Sequence, residues 1–228
     1  MIKLENVEIV GWEPAIRGMR NPMNSWAKSD SYKTHIENPE TLNTADFEFF
    51  VGDNDHKLMM NLADGGPVHA KYRRMINVYV DITAPLYWWK EFDTYKVGTV
   101  ANSCSTMHKI HAKEFTLEDF SCEHLGVDHM SRLGCTTLDI LENTIEALNI
   151  NRKLYLKTKD KEYWWQMIQL LPSSYNQKRT VMLSYEVLAN IYKWRKDHKL
   201  DEWREVCKWI ESLPYSEVIT GEKKENRE

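Results

Sequence analysis

The segment 73–93, RRMINVYVDITAPLYWWKEFD, constrains the fold more than any other part of the chain. Apolar and polar residues alternate along its first half, which is the period of a β-strand. One face would carry Ile76, Val78, Val80 and Ile82, and the other Met75, Asn77, Tyr79 and Asp81. Thr83 is the predicted N-cap of a helix that has Pro85 in its first turn. The backbone N–H that proline lacks has no partner within the helix at that position, so its loss costs nothing. A strand that leads directly into a helix favours a mixed α/β domain.

The rest of the N-terminal half adds short elements on either side of a polar loop. Residues 21–46 contain two prolines and many turn-forming residues, which predicts a long loop. Asp53 or Asn54 can cap a helix that Gly65-Gly66-Pro67 ends. The predicted elements are a strand over 2–10, a helix over 13–19 stopped at Pro22, and the helix from 53 or 54 to 62.

The C-terminal half has the three- and four-residue apolar spacing of amphipathic helices. Four helices are predicted there, over 136–157, 162–171, 181–197 and 200–213. The expected fold class is therefore mixed α+β, a central sheet with helices and a largely helical second half. We expect a single domain over 1–214, followed by a charged, disordered tail over 215–228.

Composition excludes some classes of function. A chain of 228 residues can bury a full core. Its net charge of −4, from 30 basic and 34 acidic residues, argues against binding a nucleic-acid polymer, which requires a basic surface. No apolar run reaches the ~18–20 residues of a membrane span, and the N-terminus lacks a signal-peptide pattern. We expect a cytoplasmic protein that is not membrane-bound and keeps its four cysteines reduced.

Three common ligand-binding or catalytic motifs are missing from the sequence. Nothing matches the glycine-rich loops GxGxxG or GxxxxGK[ST], which disfavours classical dinucleotide and P-loop folds. A GxSxG nucleophile elbow is missing as well, which disfavours the common hydrolases.

The stretch 88–109, WWKEFDTYKVGTVANSCSTMHK, places small polar residues behind an aromatic helix, as in the wall of a pocket. Cys104 with His108 could form a nucleophile and base, although a buried, unreactive cysteine is more common. Ser103, Ser105 and Thr106 could donate hydrogen bonds to a phosphate, or serve only as turn residues.

Two further groups of residues leave alternatives open. Six potential zinc ligands lie within 108–135, but their spacing matches no standard zinc motif, and we predict no metal site. They are His108, His111, Cys122, His124, His129 and Cys135. Arg195 either supports the C-terminal end of its helix or points into a pocket with Ser184, Asn190 and Ile191, where it would bind a phosphate or a uracil carbonyl.

The order of these features resembles the flavin-dependent thymidylate synthases, which transfer a methylene from folate to dUMP and reduce it with hydride carried by FAD. The family's first strand and its AxRxxRxSF-like segment are similar to residues 6–26, NVEIVGWEPAIRGMRNPMNSW. The segments GGPVH and INVYVDITAPLYWW resemble its HxxPFEH strand and helix. The segment 170–206 aligns without a gap on the family pattern, with Leu171-Pro172, Asn190 and Arg195 in register. The likeness spans 5–212.

The resemblance implies roles for six residues. Arg195 would polarise the uracil, and Ser105 with Lys96 would hold the phosphate of the nucleotide; Arg195 and Ser105 are the expected catalytic residues. Cofactor binding would fall to His69, Lys96, Asn102 and Asn190.

The family's signature RHRxxSxNExSxRY is only partly present here. Thr94-Tyr95-Lys96 replaces its Arg-His-Arg, and Asn102 and Ser105 match only after a one-residue shift. Glu186 stands where the family has an arginine and would repel a diphosphate. Each lost charge-assisted hydrogen bond is worth about 1.5–3 kcal/mol, so the resemblance implies weakly held FAD.

The implied function is binding of a dUMP-like nucleotide and FAD, with reductive methylation toward dTMP by a methyltransferase. NADPH and methylenetetrahydrofolate would be co-substrates. The alternative is a non-catalytic protein that binds or sequesters the nucleotide on the same fold. Nine tryptophans and the resemblance together predict a homotetramer.

Overall fold

A computed structural model describes residues 2–35, 47–127 and 134–222 of the chain. Its strands are β1 (Lys3–Val10), β2 (Tyr32–His35), β3 (Phe47–Phe50), β4 (Asn77–Pro85), β5 (Thr99–Ser103) and β6 (Asn176–Ser184). Four of them form a sheet in the order β1-β4-β6-β5, while β2 and β3 pair antiparallel. The mixed α+β fold class predicted from the sequence is confirmed.

Eight α-helices lie in the described residues. They are α1 (Trp12–Arg20), α2 (Asp53–Asp64), α3 (Leu86–Phe92), α4 (Thr137–Thr158), α5 (Lys161–Leu170), α6 (Tyr185–Arg195), α7 (Asp201–Ser212) and α8 (Glu217–Thr220). Short 3₁₀ turns occupy Asn21–Met23, Trp26–Lys28, Lys71–Arg74 and Leu117–Asp119. No helix in these ranges is long and apolar enough to cross a membrane.

The alternation predicted for β4 is confirmed. Ile76, Val78, Val80 and Ile82 are all 2% exposed or less. Tyr79 on the opposite face is 41% exposed. Side chains of a strand alternate between its faces, so this pattern fixes which face of β4 is buried.

The predicted helix over 181–197 is wrong in its first four residues. Residues 176–184 form β6, and α6 begins only at Tyr185, after Ser184 accepts a hydrogen bond from the backbone N–H of Val187. Val181 and Leu183 are both buried and two residues apart, as on one face of a strand. The helical spacing that predicted this segment belongs to the apolar residues after Ser184.

Three other boundaries differ from the sequence prediction. Thr83 lies within β4 and caps nothing, because the strand continues to Pro85 before α3 begins. Residues 99–103, for which the sequence analysis predicted no regular element, form β5. Part of the loop predicted over 21–46 is strand β2, while residues 36–46 lie outside the described residues.

The contacts of the chain group it into two units. Unit 1 contains residues 1–5, 81–94 and 101–180, and unit 2 contains 6–80, 95–100 and 181–228. A single domain over 1–214 therefore remains a prediction. Helix α8 falls within the predicted tail of 215–228 and is anchored by buried Val218 and Ile219, whereas residues 223–228 lie outside the described residues.

The core of unit 1 lies beneath α4 and α5. Its buried members are Ile110, Phe115, Phe120, Leu141, Leu148 and Met167. Helix α4 begins with a capping box in which Thr136 and Asp139 exchange hydrogen bonds. Such reciprocal caps satisfy backbone groups that the first turn leaves without partners.

Unit 2 contains a buried ion pair that joins α1 to α2. The Arg20 Nε lies 2.5 Å from Asp55 Oδ1, and the two side chains are 4% and 0% exposed. The other oxygen of Asp55 accepts from the hydroxyls of Ser29 and Ser31 and from the backbone N–H groups of Asp30 and Ser31. Asp55 therefore fixes the segment 29–31 against the first turn of α2.

Gly11 permits α1 to begin close to the chain before β4. Its φ is 97°, and a Cβ at this position would press against the carbonyl oxygen of Met75. Gly66 has a similar φ of 89° but no atom within 4 Å of an added Cβ.

We expect Gly66→Ala to lower the free energy of unfolding only by the conformational cost of the positive φ, about 1–3 kcal/mol. Gly11→Ala should cost at least about 1 kcal/mol more. Equal losses of unfolding free energy in the two variants, measured by urea unfolding, would contradict the close approach of Gly11 to Met75.

Candidate functional site

A cavity that lies wholly in unit 2 runs along α6 and has a volume of about 580 Å³. Small-molecule sites usually occupy about 300–1,000 Å³. Helix α6 contributes Glu186, Val187, Ala189, Asn190 and Lys193, and Lys196 follows as its C-cap. The other lining residues include Asp64, Arg73, Val97 and Thr220. We call this space the α6 cavity.

The spacing of residues along α6 explains which of them line the α6 cavity. Glu186, Asn190 and Lys193 are four and three residues apart, so they lie along one face of the helix. Over the seven residues from Glu186 to Lys193 the helix rises about 10 Å. The face is acidic near the start of the helix and basic near its end.

Five charged side chains line the α6 cavity. Arg73, Lys193 and Lys196 supply positive charge, and Asp64 and Glu186 supply negative charge. Both lysines are exposed, whereas Arg73 and Glu186 are half-buried. The positive side chains outnumber the negative ones by one, and this balance of charges favours an anionic ligand of low charge.

Arg73 and Glu186 each have a buried polar atom without a partner. Arg73 Nε and Glu186 Oε2 make no hydrogen bond in the described part of the chain. Beside Arg73, the Tyr72 hydroxyl donates to the Met59 carbonyl, and burial raises the pKa of Tyr72 to about 12, so this phenol stays neutral. Unpaired buried polar atoms are uncommon in folded proteins, and each calls for an explanation.

The structure places the expected cofactor residues in different parts of the molecule. Asn190 lines the α6 cavity and is exposed. His69 and Lys96 are exposed residues of unit 2 that do not line this cavity. Asn102 is an exposed residue of β5 that belongs to unit 1. Their cofactor roles stay predictions.

Arg195, at the end of α6, packs against two aromatic rings that also contact each other. Its guanidinium carbon lies 4.8 Å from the Trp203 ring centre and 5.7 Å from that of Tyr95. Its Nε donates to the Tyr95 hydroxyl at 2.9 Å. Arg195 does not line the α6 cavity, and its expected contact with a pyrimidine stays a prediction.

Alanine substitution of Arg195 separates a role in packing from the expected contact with a pyrimidine. Because its guanidinium contacts two rings and a hydroxyl, we expect Arg195→Ala to destabilise the protein by about 1–2 kcal/mol in thermal unfolding. Arg195→Lys keeps a cation near the rings and should recover part of this loss. An unchanged melting temperature together with lost dUMP binding would instead favour the pyrimidine contact.

Ser105, the second expected catalytic residue, lines a separate cavity of about 340 Å³ in unit 1 together with Lys3, Lys113 and Lys178. Its hydroxyl accepts hydrogen bonds from the backbone N–H groups of Met107 and His108 at 3.2 and 2.9 Å. This is the turn chemistry of a serine, and a catalytic role for Ser105 stays a prediction.

The cysteine and metal alternatives gain no geometric support in the described residues. Cys104 is exposed, and no hydrogen bond joins it to His108 there. All four cysteines are in the thiol form rather than in disulfide bonds. In the ranges 2–35, 47–127 and 134–222, no group of three or more His, Cys, Asp or Glu side chains could hold a metal ion. His129 lies outside these ranges.

Comparison with known proteins gives a fold without a sequence family. No protein-family model matches the chain, and no curated protein matches it either. Solved structures do. Thymidylate Synthase X (ThyX) from Helicobacter pylori, with FAD and dUMP, has a TM-score of 0.65 and 14% identity, and the alignment covers 96% of both chains. The fold is that of the flavin-dependent thymidylate synthases.

Two further structures share this fold. A second structure of flavin dependent thymidylate synthase ThyX from Helicobacter pylori, complexed with FAD and dUMP, has a TM-score of 0.62 and 15% identity, covering 94% of this chain and 96% of that one. The UMP/dUMP methylase PolB from Streptomyces cacaoi, bound with 5-Br dUMP, has a TM-score of 0.57 and 12% identity, covering 97% and 95%. Identities this low relate the folds and leave the residues of the site to be argued separately.

The residues of the α6 cavity do not fit the diphosphate of FAD. Asn190 is the one residue among the four expected cofactor contacts that lines it. Glu186 lies in the first turn of α6 and adds a negative charge to the lining of the cavity. A diphosphate offers only acceptors and negative charge, so the pair would repel.

Sequence reasoning missed Arg73 as a site residue. The basic run Lys71–Arg74 was a usable signal, but the alternation that follows it drew the segment into the strand prediction. The run instead forms a 3₁₀ turn that packs against α6 and brings Arg73 to the cavity.

Proposed function

We propose that this protein binds a pyrimidine nucleotide of the dUMP type in the α6 cavity. The observation that carries the proposal is the set of three cations, Arg73, Lys193 and Lys196, around a cavity of nucleotide size. Structures of the same fold have been solved with dUMP or 5-Br dUMP, which supports the class of ligand.

The two lysines suit the phosphate group. Lys193 and Lys196 lie one turn apart near the C-terminal end of α6, with flexible, exposed side chains. An ammonium group binds phosphate as a point charge and donates up to three hydrogen bonds. The apolar lining from Val97, Val187 and Ala189 can cover a base or sugar.

Isothermal titration with dUMP tests the proposal, and deoxyuridine serves as the matched ligand without phosphate. We expect saturable binding of dUMP and binding of deoxyuridine that is at least tenfold weaker, because the nucleoside forms no charge-assisted contact with the lysines. Absence of dUMP binding up to millimolar concentration would refute the function.

Catalysis is the second candidate, favoured by the fold shared with a UMP/dUMP methylase. Reductive methylation would require FAD, NADPH and methylenetetrahydrofolate, with Arg195 and Ser105 as the catalytic residues that the resemblance implies. Because Glu186 opposes a diphosphate, we expect FAD to titrate with micromolar or poorer affinity. Colourless purified protein and unmodified dUMP after incubation would favour the binding protein, whereas stoichiometric, tightly held FAD would favour the enzyme.

A homotetramer remains part of the proposal. Three tryptophans are at least half exposed, Trp26 at 51%, Trp165 at 50% and Trp194 at 66%, and interfaces are enriched in such side chains. A sedimentation mass equal to one chain of 27.0 kDa at micromolar concentration would refute it.

A further inference from the structure

We infer that a second cavity of unit 2 binds a small aromatic carboxylate, with Arg17 as the partner of the carboxylate group. The cavity has a volume of about 390 Å³, and residues of α1, β2, β3 and the segment 26–31 line it. We call it the α1 cavity. Its described lining residues do not overlap with those of the α6 cavity, so the inference does not rest on the proposed nucleotide function.

Aromatic rings give the α1 cavity a surface for a flat ligand. Trp26, Tyr32 and Phe49 line it. Trp26 is 51% exposed and Tyr32 is 58% exposed, so a ligand can reach both side chains. The Trp26 Nε1 already donates to Asn21 Oδ1 at 2.8 Å, and the Tyr32 ring stacks on Phe50 with 5.5 Å between ring centres. Both rings are therefore held in place, and a further aromatic ring can stack on them or meet them edge to face.

The charged side chains of the α1 cavity leave one cation for a ligand. Lys33 Nζ lies 2.6 Å from Glu13 Oε2, and the buried Arg20 is paired with Asp55. Arg17 is exposed and makes no hydrogen bond or ion pair with another residue in the described ranges. Glu13 lies one turn before it on α1, but the Glu13 carboxylate is already engaged by Lys33. The guanidinium of Arg17 can therefore bind an anion.

The inner wall of the α1 cavity is fixed by the buried carboxylate of Asp55. Arg20, Ser29 and Ser31 all line the cavity, and each contacts an oxygen of Asp55. Their side chains are ordered without a ligand. A site of this kind loses less conformational freedom on binding than a site that must form around its ligand.

An aromatic carboxylate of one or two rings satisfies both features. A planar guanidinium forms two parallel hydrogen bonds with a carboxylate, and the rings of the ligand would cover the aromatic side chains. A cationic ligand is disfavoured because three cations, Arg17, Arg20 and Lys33, line the cavity with one carboxylate, that of Glu13. The volume lies within the range of small-molecule sites.

Three probes that share one carbon skeleton test the inference by NMR titration of the ligand signals. The first, 2-naphthoate, is flat and anionic, and we expect it to bind with a dissociation constant of about 1 mM or less. The second, 2-naphthylmethanol, keeps the rings without the charge. The third, decahydro-2-naphthoate, keeps the charge without the flat rings. Both of these should bind at least about tenfold more weakly than 2-naphthoate.

Variants locate the probe in the α1 cavity. Arg17→Gln should weaken 2-naphthoate at least about tenfold and leave 2-naphthylmethanol within about twofold, because it removes only the charged contact. Trp26→Ala should weaken both aromatic probes. The matched controls are Arg74→Gln and Trp194→Ala, which change an exposed arginine and an exposed tryptophan outside the cavity and should leave all affinities within about twofold.

Several results would overturn the inference. They are a lack of saturable 2-naphthoate binding in the millimolar range, an affinity for 2-naphthylmethanol equal to that for 2-naphthoate, and an unchanged affinity in Arg17→Gln. Equal weakening in Arg74→Gln would show a diffuse charge effect and would also overturn it. Displacement of 2-naphthoate by dUMP would place the probe in the α6 cavity, whereas binding that is unchanged by dUMP supports a separate site.

Discussion

Replacement of Asp55 with alanine is expected to destabilise the protein by about 3–5 kcal/mol, a large part of the stability of a typical domain. The change leaves the guanidinium of Arg20 buried at 4% exposure without its carboxylate. It also removes the acceptor for the hydroxyls of Ser29 and Ser31 and for two backbone N–H groups. Urea unfolding followed by circular dichroism measures the loss.

Asp53→Ala is the matched control. Asp53 lies in the first turn of the same helix and is exposed, so its loss should cost no more than about 1 kcal/mol of helix-dipole stabilisation. A similar small loss for Asp55→Ala would mean that Arg20 finds other partners or that the segment 29–31 does not pack as described.

The same carboxylate gives unfolding a dependence on pH. Burial raises the pKa of Asp55, but hydrogen bonds from Ser29, Ser31 and Arg20 outweigh this, and the net shift is below the ordinary value of 3.8. A lowered folded-state pKa adds stability that is complete above the unfolded value and is lost as the pH falls through the folded value. The loss should therefore appear below about pH 4 and be reduced in Asp55→Asn.

Removal of both lysines of the α6 cavity is expected to weaken dUMP binding by at least a hundredfold. Each charge-assisted hydrogen bond contributes about 1.5–3 kcal/mol, or roughly a factor of ten to a hundred. Both side chains are exposed, so Lys193→Ala/Lys196→Ala should fold as the native protein does. The affinity of the native protein should fall steeply with salt, and that of the variant much less.

Lys208→Ala controls for the loss of a positive charge outside the cavity, one charge where the double variant removes two. Lys208 is exposed on α7 and does not line the α6 cavity, so this variant should bind dUMP within about twofold of the native protein. Equal weakening in Lys208→Ala would show a diffuse field effect, and undiminished binding in the double variant would place the phosphate elsewhere.

The sequence predicted the elements whose periodicity is strong and local. Strand β4 has four inward apolar residues in strict alternation, and α4 has an amphipathic repeat over 22 residues. Strand β6 was missed because its pattern, NQKRTVMLS, has few apolar positions and runs directly into helical spacing. A helix boundary set by the cap at Ser184 depends on a single hydroxyl, which periodicity does not register.

The candidate site was only partly predictable because its contacts are distant in sequence. Asn190 was placed by the resemblance and does line the α6 cavity. Arg73 reaches that cavity from more than a hundred residues away, through a 3₁₀ turn with no distinctive sequence pattern. Tyr95 and Trp203 around Arg195 are also brought together by tertiary packing, which the aromatic count alone could not assign.

The end of α8 has a consequence for handling the protein. Ile219, Thr220 and Gly221 form part of the wall of the α6 cavity, and Glu222 accepts a hydrogen bond from Tyr192, which lines the same wall. The segment 219–222 is therefore part of the surroundings of the proposed nucleotide. A bulky group fused directly after Glu222 would disturb this wall, and a fluorophore attached next to Glu222 would report whether the proposed nucleotide occupies the cavity.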